Sequence, residues 1–221
     1  MSQFIYRNVN KVLDKILVSH RKKQINNTDF SIICNNCWGG YVYRRFGLPY
    51  YSPLVGLYLF PEDFLKLCTD VKGYMGKELE FISYTESRYR DEIEKRQQAG
   101  VPIARLGDIE IIFLHYKTRE EAADKWKRRA ARINYDNLIF KFSKMDGCTD
   151  EQLLRFDQFD FDKKICFVPV SHEGIRCGIL FKSATGTEVH KDTGEYARYV
   201  DLVRLINAKK ACGNHVEGVW C

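Results

Sequence analysis

The sequence predicts an α/β fold: three layers, with a mainly parallel sheet carrying helices on both faces, Rossmann-like but without a dinucleotide fingerprint. Three observations lead there. Short apolar runs rich in β-branched and aromatic residues alternate with helical patterns along the chain. The 221 residues are 45% apolar and 29% charged, enough to bury the core of one large α/β unit. Pro and Gly are dispersed, with no repeat, low-complexity tract or linker, so residues 1–221 read as a single α/β domain.

Taken in order, residues 3–24 read as an amphipathic helix packed on that domain. Ile5, Val9, Val12, Leu13, Ile16 and Leu17 recur at helical spacing, with Arg7, Lys11, Asp14 and Lys15 opposite. Asn26-Asn27-Thr28-Asp29 breaks the pattern before a short buried strand at Phe30–Cys34. Gly39 and Gly40 open a short helical segment that ends near Gly47-Leu48-Pro49, and Val55–Leu59 reads as a second strand. Pro61-Glu62-Asp63 marks a helix start, with Pro near N1 and acids in the first turn, running to about Gly73. Leu79–Tyr84 reads as a strand and Glu86–Gln98 as a charged helix or exposed loop. Ile109–Tyr116 (IEIIFLHY) is the strongest strand signal and suits a strand buried on both faces. Thr118 caps a helix over Arg119–Ile133, with Glu121 at N3 in a capping-box pattern. Asn137–Phe142, Ile165–Pro169 and Cys177–Phe181 follow as strands, Thr149–Phe156 and Tyr196–Asn207 as helices, and residues 211–221 as a tail.

The net charge of +6 belongs to one end of the chain. Residues 1–60 hold eight basic residues against two acids, and the remainder balances. A basic field over the whole protein, of the kind that binds nucleic acid, is thereby excluded. The N-terminal helix is instead a candidate for peripheral membrane contact, and Arg44 and Arg45 for attracting an anionic substrate. No run of 18 apolar residues and no secretory leader pattern occurs, so a cytoplasmic location is expected, with membrane-peripheral placement as the alternative. The eight cysteines then read mostly as buried free thiols. Cys34 and Cys37 have CxxC spacing without a second pair to complete a zinc site, so no metal site is assigned.

In open parallel sheets ligands bind beyond the carboxyl ends of the strands. That rule gathers Asn35, Asn36, Cys37, Trp38, Gly39 and Gly40 after the first strand, His115 and Tyr116 after IEIIFL, Asp146 after 137–142, and Ser171 and His172 after 165–169. Cys37, at a helix start that lowers thiol pKa, is the candidate nucleophile; the competing reading is a small thiol packed under Trp38. His115 reads as a base, oriented by Asp136, Asn137 or Asp146, or as a satisfied core histidine; Asp146 reads also as a holder of a divalent metal on a nucleotide-sugar donor or a turn former before Gly147. Asn35, Asn36, Trp38, Gly39, Gly40, Tyr116, Asn137 and Arg44 are the candidate substrate-binding residues. Neither GxGxxG nor a P-loop is present, so NAD(P) and ATP sites of those types are not expected, and the cofactor stays open.

Four stretches carry a resemblance: FSIICNNCWGG (Phe30–Gly40), Ser52–Leu57, LGDIEIIFLHYKT (Leu106–Thr118), and Trp126 with Arg132–Leu138. Together they resemble the bacterial family of unknown function numbered 1919, over roughly residues 2–210. Where that family commonly has serine, this chain has Cys34, which sets the CxxC reading aside and leaves Cys37 as the thiol within the motif. Members are often labelled exopolysaccharide-biosynthesis proteins. The resemblance implies a surface-polysaccharide context but no established reaction; that context together with the strand-end cluster leads to the expectation of a transferase-type enzyme of surface-polysaccharide assembly acting on a sugar-containing substrate. A Cys-His hydrolase or acyltransferase using Cys37, and a non-catalytic scaffold of an assembly complex, are the alternatives.

Overall fold

A computed structural model of the chain describes residues 15–182, 186–190, 192–213 and 215–216. Its first half contains helix α1 (residues 15–23), β1 (Ser31–Cys34), α2 (Trp38–Phe46), α3 (Pro61–Thr69), α4 (Val71–Met75), β2 (Glu80–Ile82), α5 (Arg90–Lys95), β3 (Ile103–Leu106) and β4 (Ile109–Ile112). The second half adds α6 (Arg119–Ala130), β5 (Leu138–Ser143), α7 (Asp150–Gln158), β6 (Lys163–Val168), β7 (Gly178–Leu180), α8 (Asp192–Glu195), α9 (Leu202–Asn207), β8 (Ala211–Cys212) and β9 (His215–Val216).

The main sheet is mostly parallel, ordered β1-β5-β6 with β7 and β8 both alongside β6, and β9 antiparallel to β8. Strand alternation divides its side chains between two cores. Ile33, Phe140, Phe142, Cys166 and Val168 meet Phe64 of α3, Trp126 of α6 and Phe156 of α7. Ile32, Cys34, Ile139, Ile165 and Phe167 meet Trp38 and Phe46 of α2 and Leu205 of α9. A second, antiparallel sheet β2-β3-β4 carries a third cluster around Ile93, Ile103 and Ile112.

Several expectations are corrected. The run IEIIFLHY is not a strand of the parallel sheet. It pairs antiparallel with β3 through a tight turn at Gly107 (φ 66°) and ends at Ile112. The ladder stops because β3 begins after Pro102, which has no N–H to offer; Phe113 N–H closes it on the Pro102 carbonyl at 2.9 Å. Val55–Leu59 forms no named strand, only a bridge from Tyr58 to Ile112. The helix begun at Pro61 stops at Thr69, where the Asp70 side chain accepts from Gly73 N–H and starts α4. The segment 196–207 is broken into a short 3-10 turn and α9. Ala211–Cys212 is no tail: it pairs with Lys163 and Lys164 of β6. Of the N-terminal helix, residues 1–14, including Arg7 and Lys11, lie outside the described residues; within α1, Ile16 and Leu17 are exposed.

The caps hold. Thr149 forms the capping box with Gln152 at the head of α7. Thr118 accepts from Glu121 N–H, but the Glu121 carboxylate reaches Lys117 N–H and Lys125, so that box is only half made.

Candidate functional site

β1 and β5 end side by side, and two asparagines turn the chain from β1 into α2. Asn35 is fully buried; its amide donates to the Ser143 carbonyl (3.2 Å) and its oxygen accepts from Ser143 N–H (3.1 Å), extending the ladder by one amide. Asn36 Oδ1 accepts from Trp38 N–H at 3.1 Å and so supplies the cap of α2. The same oxygen accepts from Lys141 Nζ at 3.0 Å, while Nδ2 donates to Asp192 Oδ2 at 2.8 Å.

Lys141 is buried in the middle of β5, on the face it shares with Ile139 and Ser143. It donates to Asp192, and its ammonium also lies 5.1 Å from the Phe167 ring centroid and 5.9 Å from that of Trp38. Ser143 Oγ donates to Asp192 Oδ2 at 2.7 Å. Burial alone drives the Asp192 carboxyl upward, yet Lys141 and the three donated hydrogen bonds outweigh it and hold it below the usual carboxylate range. A buried ion pair thus locks the β1–α2 turn to β5 and to α8.

On the outer side of that turn lies an open pocket of about 300 Å³, whose wall includes Cys37, Gly40, Arg44, His115, Tyr116 and Arg129. The β4 end reaches it because His115 N–H donates to the Gly56 carbonyl at 2.9 Å. Tyr116 is buried and its hydroxyl donates to the Val55 carbonyl. Arg129 Nη1 donates to that hydroxyl at 2.6 Å and to the Val55 carbonyl at 3.1 Å, and its guanidinium stacks 4.8 Å from the Tyr50 ring centroid. Arg44 is exposed and lies 4.3 Å over the Tyr41 ring. Gly40 is required by packing: a Cβ there would sit 2.8 Å from Val55 Cγ1.

Five of the sequence-derived residues, Cys37, Gly40, Arg44, His115 and Tyr116, therefore share one pocket. The others do not line it. Asn35 and Asn36 spend their hydrogen-bonding capacity inside the protein and serve the turn rather than a substrate. Trp38 is fully buried against Phe167 and Tyr196, unavailable for sugar stacking. Gly39 lets α2 approach β1, where a Cβ would lie 3.1 Å from Ile32. Asn137 immediately precedes β5 and so sits at the opposite, amino edge of the sheet, bonded to the Asp29 carbonyl and Lys163. Asp146 adopts φ 61° before Gly147 and pairs with Arg96 at 2.6 Å, the turn-former reading; it orients no histidine among the described residues.

The thiol of Cys37 also departs from expectation. Although it stands at the N-terminal boundary of α2, burial, followed by the neighbouring Cys34 and Asp192, pushes it up to about 12. Desolvation wins over the helix N-terminus, and Cys37 is not a thiolate at neutral pH. Among the described residues no three His, Cys, Asp or Glu side chains are grouped as a metal site.

Lys141 and Asp192 escape the sequence reading, and Arg129 reads there only with Lys125, Lys127, Arg128 and Arg132, as a solvated face of the helix or a patch attracting anionic lipid head groups or phosphorylated donors. Lys141 interrupts LIFKFS on a face where alternation places Ile139, which is the signal that marks it. Arg129 sits seven residues from Ala122 and three from Trp126, on the buried stripe of α6 rather than its solvated face. Asp192, in a four-residue helix, carried no local signal.

Fold and site together define a mixed α/β protein with a mainly parallel sheet, a buried ion pair at the carboxyl edge and an open, arginine-bearing pocket beside it. Among the described residues no helix is long and apolar enough to cross a membrane. The chain belongs to the family described as domain of unknown function DUF1919, whose model matches residues 8–207. It is also similar to an uncharacterized protein of Haemophilus influenzae, 30% identical over 174 residues that cover 79% of this chain and 77% of that protein. Neither description mentions a polysaccharide.

Proposed function

We propose that the protein is a transferase-type enzyme of surface-polysaccharide assembly, and that its sugar-containing substrate occupies the pocket of Cys37, His115 and Arg129. One observation carries the reading: residues from four separate segments (α2, the 50–56 loop, the chain just after β4, and α6) present a histidine, two arginines and three tyrosines to one cavity. Tyrosine rings offer flat apolar faces to a sugar and hydroxyls to its polar rim. Such a site uses the sheet as three-layer, Rossmann-like folds use theirs, beyond the carboxyl ends of the strands. In this scheme His115 takes the proton of an acceptor hydroxyl whose oxygen bonds to the transferred group. The donor's leaving group departs with the electron pair of the broken bond.

The test is incubation with a panel of nucleotide-sugar and acyl donors and sugar acceptors, read by mass spectrometry of the products. A product formed by the wild type and lost in His115→Ala supports the proposal; products unaffected by that substitution overturn it. The placement of Cys37 and His115 in one cavity favours a second reading, a Cys-His acyltransferase, but the raised thiol argues against it.

A further inference from the structure

We infer that Arg129, assisted by Arg44, is an anion clamp, and that the ligand of this pocket carries a phosphate or carboxylate group. The inference deepens the substrate-site reading above and rests on it for the location of the sugar. Its starting point is an unbalanced charge. Arg129 is 8% exposed, and charges so buried are ordinarily paired, because desolvating an ion costs several kcal/mol.

Its partners among the described residues are all neutral: the Tyr116 hydroxyl, the Val55 carbonyl and the face of Tyr50. The one ion pair on α6 among the described residues is Lys125–Glu121. Placement in the last turn of α6 offsets part of the cost through the helix dipole, but a dipole's partial charge does not neutralise the guanidinium.

The geometry of the tether matters as much. Both hydrogen bonds are made by Nη1, so Nε–H and Nη2 have no acceptor among the described residues in a side chain that lines the pocket. A guanidinium held by one corner offers the planar two-donor edge that matches two oxygens of a phosphate or carboxylate. Arg44, on the last turn of α2, adds a second cation with no ion-pair partner among the described residues. Among the described residues no Asp or Glu lines the cavity, so none of them competes there for either arginine. A volume of about 300 Å³ suits a monosaccharide-sized ligand.

Calorimetric titration of the full chain with inorganic phosphate, glucose 1-phosphate, glucuronate and glucose tests the clamp and separates the two anion chemistries. We expect phosphate and at least one charged sugar to bind, glucose to bind at least tenfold more weakly than that charged sugar, and added salt to weaken the charged ligands alone. Arg129→Gln should weaken charged-ligand binding at least tenfold, and Arg129→Lys should restore only part of it, because an ammonium lacks the planar edge. Arg44→Gln, at an exposed position, gives an independent loss should Arg129→Gln fold poorly. The tighter of phosphate and carboxylate names the group. Glucose binding as tightly as glucose 1-phosphate, with no effect of Arg129→Gln, overturns the clamp and leaves the sugar pocket standing. Inorganic phosphate binding that both arginine variants weaken, with no discrimination among the sugars, supports the clamp and overturns the sugar reading.

Discussion

Replacing Asp192 by alanine should be the most damaging single change at the carboxyl edge, although Asp192 does not line the pocket. Its Oδ2 accepts from Lys141, from Ser143 Oγ at 2.7 Å and from Asn36 Nδ2 at 2.8 Å. The substitution leaves a fully buried ammonium with Asn36 Oδ1 and two ring faces as its remaining partners. Breaking a buried pair from one side costs about 3–5 kcal/mol. Cation–π contact returns at most about 2 kcal/mol of that and was already present in the wild type. The orphaned Ser143 and Asn36 donors add to the loss, so about 4 kcal/mol is expected. For a chain of this size that lowers Tm by roughly 8–16 °C. Urea unfolding followed by circular dichroism measures it. The double variant Lys141→Met, Asp192→Leu removes both charges and should recover more than half of the loss, since apolar replacement of a whole pair is often neutral. A loss below about 1 kcal/mol for Asp192→Ala, or a double variant no more stable than the single, would refute the reasoning.

Three further predictions concern other groups. Burial pushes the Asp63 carboxyl from 3.8 up to about 6, against the Glu110 N–H bond and Arg88. The native state therefore holds an extra proton between about pH 4 and 6, stability falls as pH rises through that window, and above it the cost is about 3 kcal/mol. Asp63→Asn, which keeps an acceptor for Glu110 N–H, should be more stable than wild type at pH 7.5 and not at pH 4; equal pH profiles would contradict this. With its thiol pushed up to about 12, Cys37 should react with iodoacetamide at pH 7.5 at least about tenfold more slowly than a free thiol, and Cys37→Ser should keep the proposed transferase activity within a few-fold. Peptide mapping that shows free-thiol rates would revive the nucleophile. Gly40→Ala gains about 1 kcal/mol of helix propensity but places Cβ 2.8 Å from Val55, so a net loss of about 1–2 kcal/mol and weaker ligand binding are expected, by thermal melting and titration.

The parts of this fold that were legible in the sequence are those set by local chemistry. Thr149, Pro61 and Gly47 mark helix ends by capping and backbone preference, and the structure uses each as expected. The strands β1, β5 and β6 follow from apolar runs, and the rule that ligands gather at their carboxyl ends groups Cys37, Gly40 and Arg44, which the structure brings to one pocket. Illegible were features decided by pairing across the chain. The hairpin at Leu106-Gly107-Asp108-Ile109 carries a two-residue turn signal, yet the apolar density of IEIIFLHY reads as a buried parallel strand when the partner Ile103–Leu106 goes unrecognised. Asn137 was misplaced because a strand has two ends and only one faces the site. Polar residues at a strand end can also be consumed by the scaffold, as Asn35 and Asn36 are, and no local pattern separates that fate from ligand binding.

Soaking a crystal of the full chain with glucose 1-phosphate, the acidic sugar that inorganic phosphate binding would single out, examines the pocket most directly. The phosphate is expected within hydrogen-bonding distance of Arg129 and Arg44, the sugar between Tyr41 and Tyr50, and His115 at its edge. A ligand seated elsewhere on the sheet, with Arg129 untouched, would contradict that placement.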